Sequence, residues 1–159
     1  MDQFEEAVLN YLCGPPERFV NPQFSIPYAD FKGGSCPDFV ALDFRDQTVY
    51  VVEVTSAGDS KAIRGKIVER NTRWFSPLRE HLNRLGPIFH DWDYHVSLFV
   101  RDEEWENAKK KLQDLPDVSV ISLKKVVFSW DWDWQGSRPD NPLREAGKLH
   151  RVHPSAVTS

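Results

Sequence analysis

No apolar run in the chain approaches the roughly 18 residues that a membrane-spanning helix needs, so none is expected. Cysteine is scarce. Cys13 and Cys36 are too few for a disulfide scaffold, and neither has a CxxC or CxxH companion, which argues against a zinc site. The opening stretch MDQFEEAVLNYL carries acids and no basic flank, so it does not read as a signal peptide. There is no internal repeat, and no surplus of positive charge. The 20 Lys and Arg residues face 24 Asp and Glu residues, a formal net charge of −4. What is present is ordinary for a soluble globular protein: 40% hydrophobic and 28% charged residues over 159 positions, enough for one domain with a real core. The expectation is a cytoplasmic, reduced protein with no membrane association.

A negative net charge is inconvenient for a nucleic-acid binder, because phosphate contacts draw on lysine and arginine. Local distribution nonetheless decides the field at a cleft. Between Lys61 and Arg84 lie Lys61, Arg64, Lys66, Arg70, Arg73, Arg79 and Arg84 against only Glu69 and Glu80.

Hydrophobic spacing predicts a helix over residues 2–13, with Phe4, Val8, Tyr11 and Leu12 on one face and Gly14-Pro15-Pro16 ending it. Residues 17–35 read as a loop punctuated by Pro and Gly, with a short strand at Phe24–Tyr28 and a turn at Gly33-Gly34-Ser35. Phe39–Phe44 and Thr48–Val54 read as a β-hairpin across Arg45-Asp46-Gln47. The second strand, TVYVVEV, is apolar nearly throughout, as in a strand buried on both faces. A long helix is expected from about Ser60 to Leu85, with Ile63, Ile67, Trp74, Leu78, Leu82 and Leu85 as its apolar stripe. A strand at Tyr94–Val100, a helix capped by Asp102 and running to about Leu115, and a strand at Val118–Ile121 follow. This order implies an α/β fold, a mixed sheet flanked by helices. The domain is expected to occupy residues 1–134, with 135–159 a polar, Pro-containing, poorly ordered tail.

The chemistry is concentrated in Pro37-Asp38 and in Glu53-Val54-Thr55. With the hairpin turn centred on Asp46, Asp38 lies 46 − 38 = 8 residues before it and Glu53 lies 53 − 46 = 7 after it. The two acids are therefore near-opposed on adjacent strands, where facing Cβ atoms lie about 5 Å apart. Two carboxylates at one spot repel unless a cation lies between them, and hard oxygen ligands suit Mg²⁺ or Mn²⁺. Glu53 is also the only charge from Val49 to Val54, a costly position without such a role. Taken singly, Asp38 reads equally as a strand-start residue binding its own backbone, and Glu53 as a core carboxylate paired with Arg70 or Lys66.

This pattern resembles the PD-(D/E)XK, or restriction-endonuclease-like, nuclease superfamily, whose core is a helix, a three-stranded antiparallel meander, a helix and a further strand. The likeness in element order covers roughly residues 2–122, and its specific motif is these five residues. The resemblance implies an Mg²⁺- or Mn²⁺-dependent nuclease acting on phosphodiester bonds, with DNA favoured as substrate. Asp38, Glu53 and the Val54 carbonyl would ligate the metal. Many members add an acid from the first helix. At about 100° per residue, Glu5 falls at the edge of the apolar face and Glu6 toward solvent, so Glu5 is the candidate. Thr55 departs from the pattern by standing where the family has its lysine. Lys66 or Lys61 on the following helix would replace that charge, and Lys61, Arg64, Lys66, Arg70 and Arg73 would contact nucleic acid. The alternative is a catalytically inactive nuclease-like subunit that binds nucleic acid or a protein partner in a larger complex. A lone domain of this size also implies a homodimer or a partner protein.

Other features carry less. His90, Asp91, Asp93 and His95 resemble a metal cluster, yet Trp92 and Tyr94 would equally be the buried face and leave those polar groups in solvent. Cys36 reads as a small buried hydrophobe. Trp130-Asp131-Trp132-Asp133-Trp134 would line three aromatic rings on one side of an extended segment, as an interface or a packing element.

Overall fold

The computed structural model describes residues 1–28, 33–56, 61–127, 143–145 and 148. Asp2 starts α1 (Gln3–Leu12): its carboxylate accepts the amides of Phe4 and Glu5, while the Glu5 carboxylate accepts the amide of Asp2. Val8, Tyr11 and Leu12 turn inward.

The segment read as a loop contains an edge strand, β1 (Arg18–Pro22). Prolines at 15, 16 and 22 hide it from pattern reading. A tertiary contact explains it instead: buried Arg18 donates from Nε and Nη2 to Asp43 Oδ2 at 3.2 and 2.9 Å. Next come β2 (Ile26–Pro27) and β3 (Gly34–Ser35), paired as a small two-stranded sheet. Position 34 requires glycine, because a Cβ there would lie 2.6 Å from the Ile26 carbonyl oxygen.

The expected hairpin is present as β4 (Phe39–Asp43) and β5 (Thr48–Thr55), in register from Phe39↔Val52 to Asp43↔Thr48. Its turn is built by Asp43, whose Oδ1 accepts the amides of Arg45 and Asp46 at 3.1 Å each. Gln47 completes the turn in the left-handed region, with φ 51°.

Between β5 and β6 (Asp93–Val100) the chain forms α2 (Lys61–Val68), a π-helical turn (Asn71–Phe75), α3 (Ser76–Leu85) and a 3₁₀ turn (Pro87–Phe89). The single long helix expected here is thus interrupted. The wider π turn directs the consecutive residues Trp74 and Phe75 both into the core, and Trp74 Nε1 donates to Ser35 Oγ at 2.8 Å. Leu85, expected on the apolar stripe, is instead 66% exposed. After β6 come α4 (Asp102–Leu112), β7 (Val118–Ser122) and α5 (Lys124–Val127). Asp102 is not the cap of α4 but its first residue, with Oδ1 accepting from Ser122 Oγ at 2.9 Å.

The five-stranded sheet runs β1-β4-β5-β6-β7, antiparallel from β1 to β5 and parallel from β5 to β7. The fold is mixed α/β, a mixed sheet flanked by helices. Strand alternation sorts the core into two layers. Val51, Ile67, Trp74, Leu78 and Leu98 pack on the α2–α3 side. Val8, Leu12, Tyr50, Val52, Phe99 and Ile121 pack on the α1 side. As its sequence implies, β5 is covered on both faces. Among the described residues no helix is long and apolar enough to cross a membrane.

Residues assigned to the tail include part of the domain. Leu143 is fully buried, and its carbonyl accepts from Ser97 Oγ at 2.8 Å. Arg144 donates to the Tyr50 hydroxyl and to Thr48 Oγ1 at 2.7 Å each, and the Glu145 amide donates to Ser119 Oγ at 2.9 Å. These residues cover a polar part of the sheet that the sequence pattern did not reveal. The Trp130–Trp134 segment lies outside the described residues.

The Arg18–Asp43 ion pair is nearly inaccessible, with side chains 2% and 6% exposed. Asp43→Ala leaves Arg18 buried without its partner and also removes the turn bonds. It should lower unfolding free energy by about 3–5 kcal/mol, read from urea denaturation.

Candidate active site

Asp38 sits one residue before β4. Continuing the register Phe39↔Val52 outward puts Asp38 opposite Glu53. The Asp38 carbonyl accepts the Gln23 amide at 2.8 Å, so its backbone polar groups face β1 and not β5. Asp38 and Glu53 therefore form a non-hydrogen-bonded antiparallel pair, the type in which facing side chains lie closest. The Asp38 side chain turns toward β5 and accepts the Val54 amide through Oδ2 at 2.6 Å. It does not bind its own backbone turn. Because N–H and C=O of one strand residue point the same way, the Val54 carbonyl also faces the Asp38 side.

Glu53 is 5% exposed, while Asp38 is half-buried. Burial is the largest influence on Glu53 and pushes its pKa from 4.5 up to about 8; the charge of Asp38 and a hydrogen bond to it act in the same direction. Burial also raises Asp38, against the lowering effect of the Val54 amide, and the charge of Glu5 raises it further. Lys66 pulls both carboxyls back down, and Arg73 does so for Glu53. Among the described residues neither acid forms an ion pair. The site is a close pair of acids in which burial, together with the Asp38 charge, favours the neutral form of Glu53.

The expected basic residues separate. Lys66 is exposed on α2, and its charge reaches both carboxyls. Lys61 is exposed at the start of the same helix, and Arg64 follows it, half-buried. Arg70 is not available to nucleic acid: it is buried, with Nε and Nη2 each 2.7 Å from a carboxylate oxygen of Asp117. That bond also rules it out as the partner of Glu53. Arg73 binds Glu69 through Nη2 at 2.9 Å, and its charge acts on Glu53. Thr55 ends β5, two residues beyond Glu53 and so on the same face.

Glu5 reaches Asp38 through its charge, whereas its carboxylate is engaged at the N-terminus of α1. Among the described residues no group of three or more His, Cys, Asp or Glu side chains is placed to hold a metal ion. A donor set of two carboxylates and one carbonyl still fits Mg²⁺, which keeps several of its waters. The other suggested cluster dissolves. Trp92 and Tyr94 are buried, but so is His95, which is 1% exposed with Nε2 2.8 Å from Ser119 Oγ. Cys36 is exposed, not buried, and both cysteines are free. Arg73 is held in its charged form first by its bond to Glu69, with Tyr28, to which no sequence pattern pointed, as a lesser electrostatic influence.

Comparison of the chain with protein-family models, with curated proteins and with solved structures finds no match.

The raised Glu53 pKa has a consequence for stability. Below pH 4.5 the carboxyl is protonated whether the chain is folded or unfolded. As pH rises toward about 8 the unfolded chain ionises it and the folded chain resists. Stability contributed by neutral Glu53 is therefore fully present at low pH and lost through that window. The melting temperature should fall between pH 5 and 9, and Glu53→Gln should flatten the fall, a difference on the order of a few kcal/mol at the alkaline end.

Proposed function

We propose that the protein is a metal-dependent nuclease that hydrolyses phosphodiester bonds, with DNA as its substrate. The observation that carries this reading is the opposed pair Asp38 and Glu53, in which burial, the Asp38 charge and a hydrogen bond to it raise the Glu53 pKa, and which lacks a basic partner within ion-pair distance among the described residues. A divalent ion in place of the Glu53 proton would let both acids carry charge. The order of α1, three antiparallel strands (β1, β4, β5), α2 and a parallel strand (β6) supports the resemblance to the restriction-endonuclease-like superfamily.

In this reading Asp38, Glu53 and the Val54 carbonyl hold Mg²⁺ or Mn²⁺. Bound there, the ion supplies Lewis-acid charge to a phosphodiester oxygen and eases deprotonation of an attacking water. The Val54 amide fixes the Asp38 carboxylate through Oδ2. Lys66 adds positive charge at the place where Thr55 brings none. Glu5 acts as an auxiliary acid by adding negative charge beside Asp38.

Thr55 favours one second reading, a nuclease-like subunit that has lost catalysis and binds nucleic acid or a protein partner. The readings part on cleavage. Purified protein with Mg²⁺ or Mn²⁺ is expected to cut plasmid DNA, and Asp38→Asn and Glu53→Gln should each abolish cutting without loss of fold. Because a metal must displace the Glu53 proton, Mn²⁺ affinity by calorimetry should rise about tenfold per pH unit below pH 8 and level off above it. Wild-type protein that neither binds Mn²⁺ nor cuts would leave the subunit reading.

A further inference from the structure

Residues 143–145 cross a row of buried polar side chains on the sheet, and one of these is a histidine. His95 on β6 is 1% exposed, and its ring stands edge-on to that of Tyr50, its register partner on β5, with centroids 5.7 Å apart. His95 Nε2 lies 2.8 Å from Ser119 Oγ on β7, and the same oxygen accepts the Glu145 amide at 2.9 Å. Nδ1 is buried and has no hydrogen-bond partner. Arg144 donates from Nε to the Tyr50 hydroxyl at 2.7 Å, and its guanidinium carbon is 5.5 Å from the centre of the Tyr50 ring. Lys148 donates to the Gln113 and Leu115 carbonyls and lies 3.9 Å from the Glu145 carboxylate, which has Lys109 at 3.6 Å. Arg70 is paired with Asp117, whose carbonyl accepts the Val96 amide beside His95. Burial, followed by the charges of Arg144, Lys148 and Arg70, lowers the His95 pKa from 6.5 to about 3.

We propose that residues 143–145 form an acid-released strap, fastened while His95 is neutral and let go when its imidazole takes a second proton. Ser119 has one hydroxyl proton and already accepts the Glu145 amide. The arrangement that leaves fewest groups unmet has Ser119 donating to a neutral Nε2. An imidazolium has two N–H donors and no acceptor. Its Nε2–H would meet an oxygen that the Glu145 amide also claims, leaving the Ser119 proton without a partner, and its Nδ1–H would meet nothing. The added charge would also face Arg144 across the Tyr50 ring, and among the described residues no carboxylate bonds the imidazole to offset it. Lifting the strap withdraws the Glu145 amide and Arg144 together and admits water to the ring. Buried Leu143, whose carbonyl accepts from Ser97 Oγ, holds the strap down at higher pH. With the strap down His95 resists a proton that it accepts near its ordinary 6.5 when the strap is up. Closure is therefore fully favoured above pH 6.5 and weakens as pH falls toward about 3. The inference is independent of any metal or nucleic acid at Asp38 and Glu53.

The test is amide hydrogen exchange on the full ¹⁵N-labelled chain, followed by NMR at pH 7 and pH 5 and corrected for the intrinsic pH dependence of exchange. Protection of the Glu145 amide should fall about twentyfold between the two, the factor expected for a group of pKa 6.5 in the open state that stays neutral in the closed one. The Val96 amide, bonded to the Asp117 carbonyl at 2.9 Å within the sheet, should keep its protection and so separate strap release from unfolding. His95→Gln retains an amide for Ser119 and cannot titrate, and should abolish the fall. Glu145→Gln should leave the fall in place, which assigns it to the imidazole and not to the carboxylate. Where His95→Gln fails to fold, the imidazole carbon shifts of the wild-type chain serve instead, and should show His95 still neutral at pH 5 in the closed state. Constant Glu145 protection in wild type, an equal fall at Val96, the same fall in His95→Gln, or its loss in Glu145→Gln each overturns the proposal. So does a His95 that ionises near pH 6.5 while Glu145 stays protected.

Discussion

Asp43 holds the β4–β5 register from the turn end, and the rest of the site follows from that register. Its Oδ1 closes the turn through two backbone amides, while its Oδ2 receives Arg18 from β1. A slip by one residue would send every side chain of β5 to the opposite face. Glu53 would then point toward the α1 layer and away from Asp38. A buried ion pair at one end of the hairpin thus maintains the meeting of two acids at the other, about five residues of extended strand or roughly 16 Å away. The ion pair at Asp43 and the acid pair at Glu53 are parts of the same arrangement.

Sequence reasoning reached this pair because a hairpin is local. The turn residues, the alternation on β4 and the apolar run of β5 all lie within residues 38–55, so arithmetic about the turn was sufficient to oppose the acids. The same holds for α1, where the wheel separated Glu5 from Glu6. Elements fixed by distant contacts were less legible. β1 is flanked by prolines and is defined by Arg18 meeting Asp43, 25 residues on. Arg70 looks like one more cation on a basic helix until Asp117, 47 residues away, is brought to it.

The helix after β5 shows the limit of periodicity. A stripe read at 3.6 residues per turn identifies Ile63, Ile67, Trp74, Leu78 and Leu82 correctly as inward, because those positions agree with either winding to within a fraction of a turn. It cannot reveal the π turn, whose signal is that Phe75 is buried as well as Trp74. It also overextends to Leu85, where the helix has already passed the edge of the core. Burial of His95 was missed for a related reason. In a parallel strand covered on both sides, alternation no longer separates wet from dry, so a histidine between Tyr94 and Val96 can be as enclosed as either.

The contacts made by Leu143, Arg144 and Glu145 bear on how the domain matures during synthesis. All seven strands and the five helices described have been translated once residue 127 has been added. Yet the hydroxyls of Thr48, Tyr50, Ser97 and Ser119 each bond to residues 143–145, which are added later. A chain stopped between those points would hold the strands of the main sheet without these four contacts. They are among the last bonds of the fold to become possible as the chain is made.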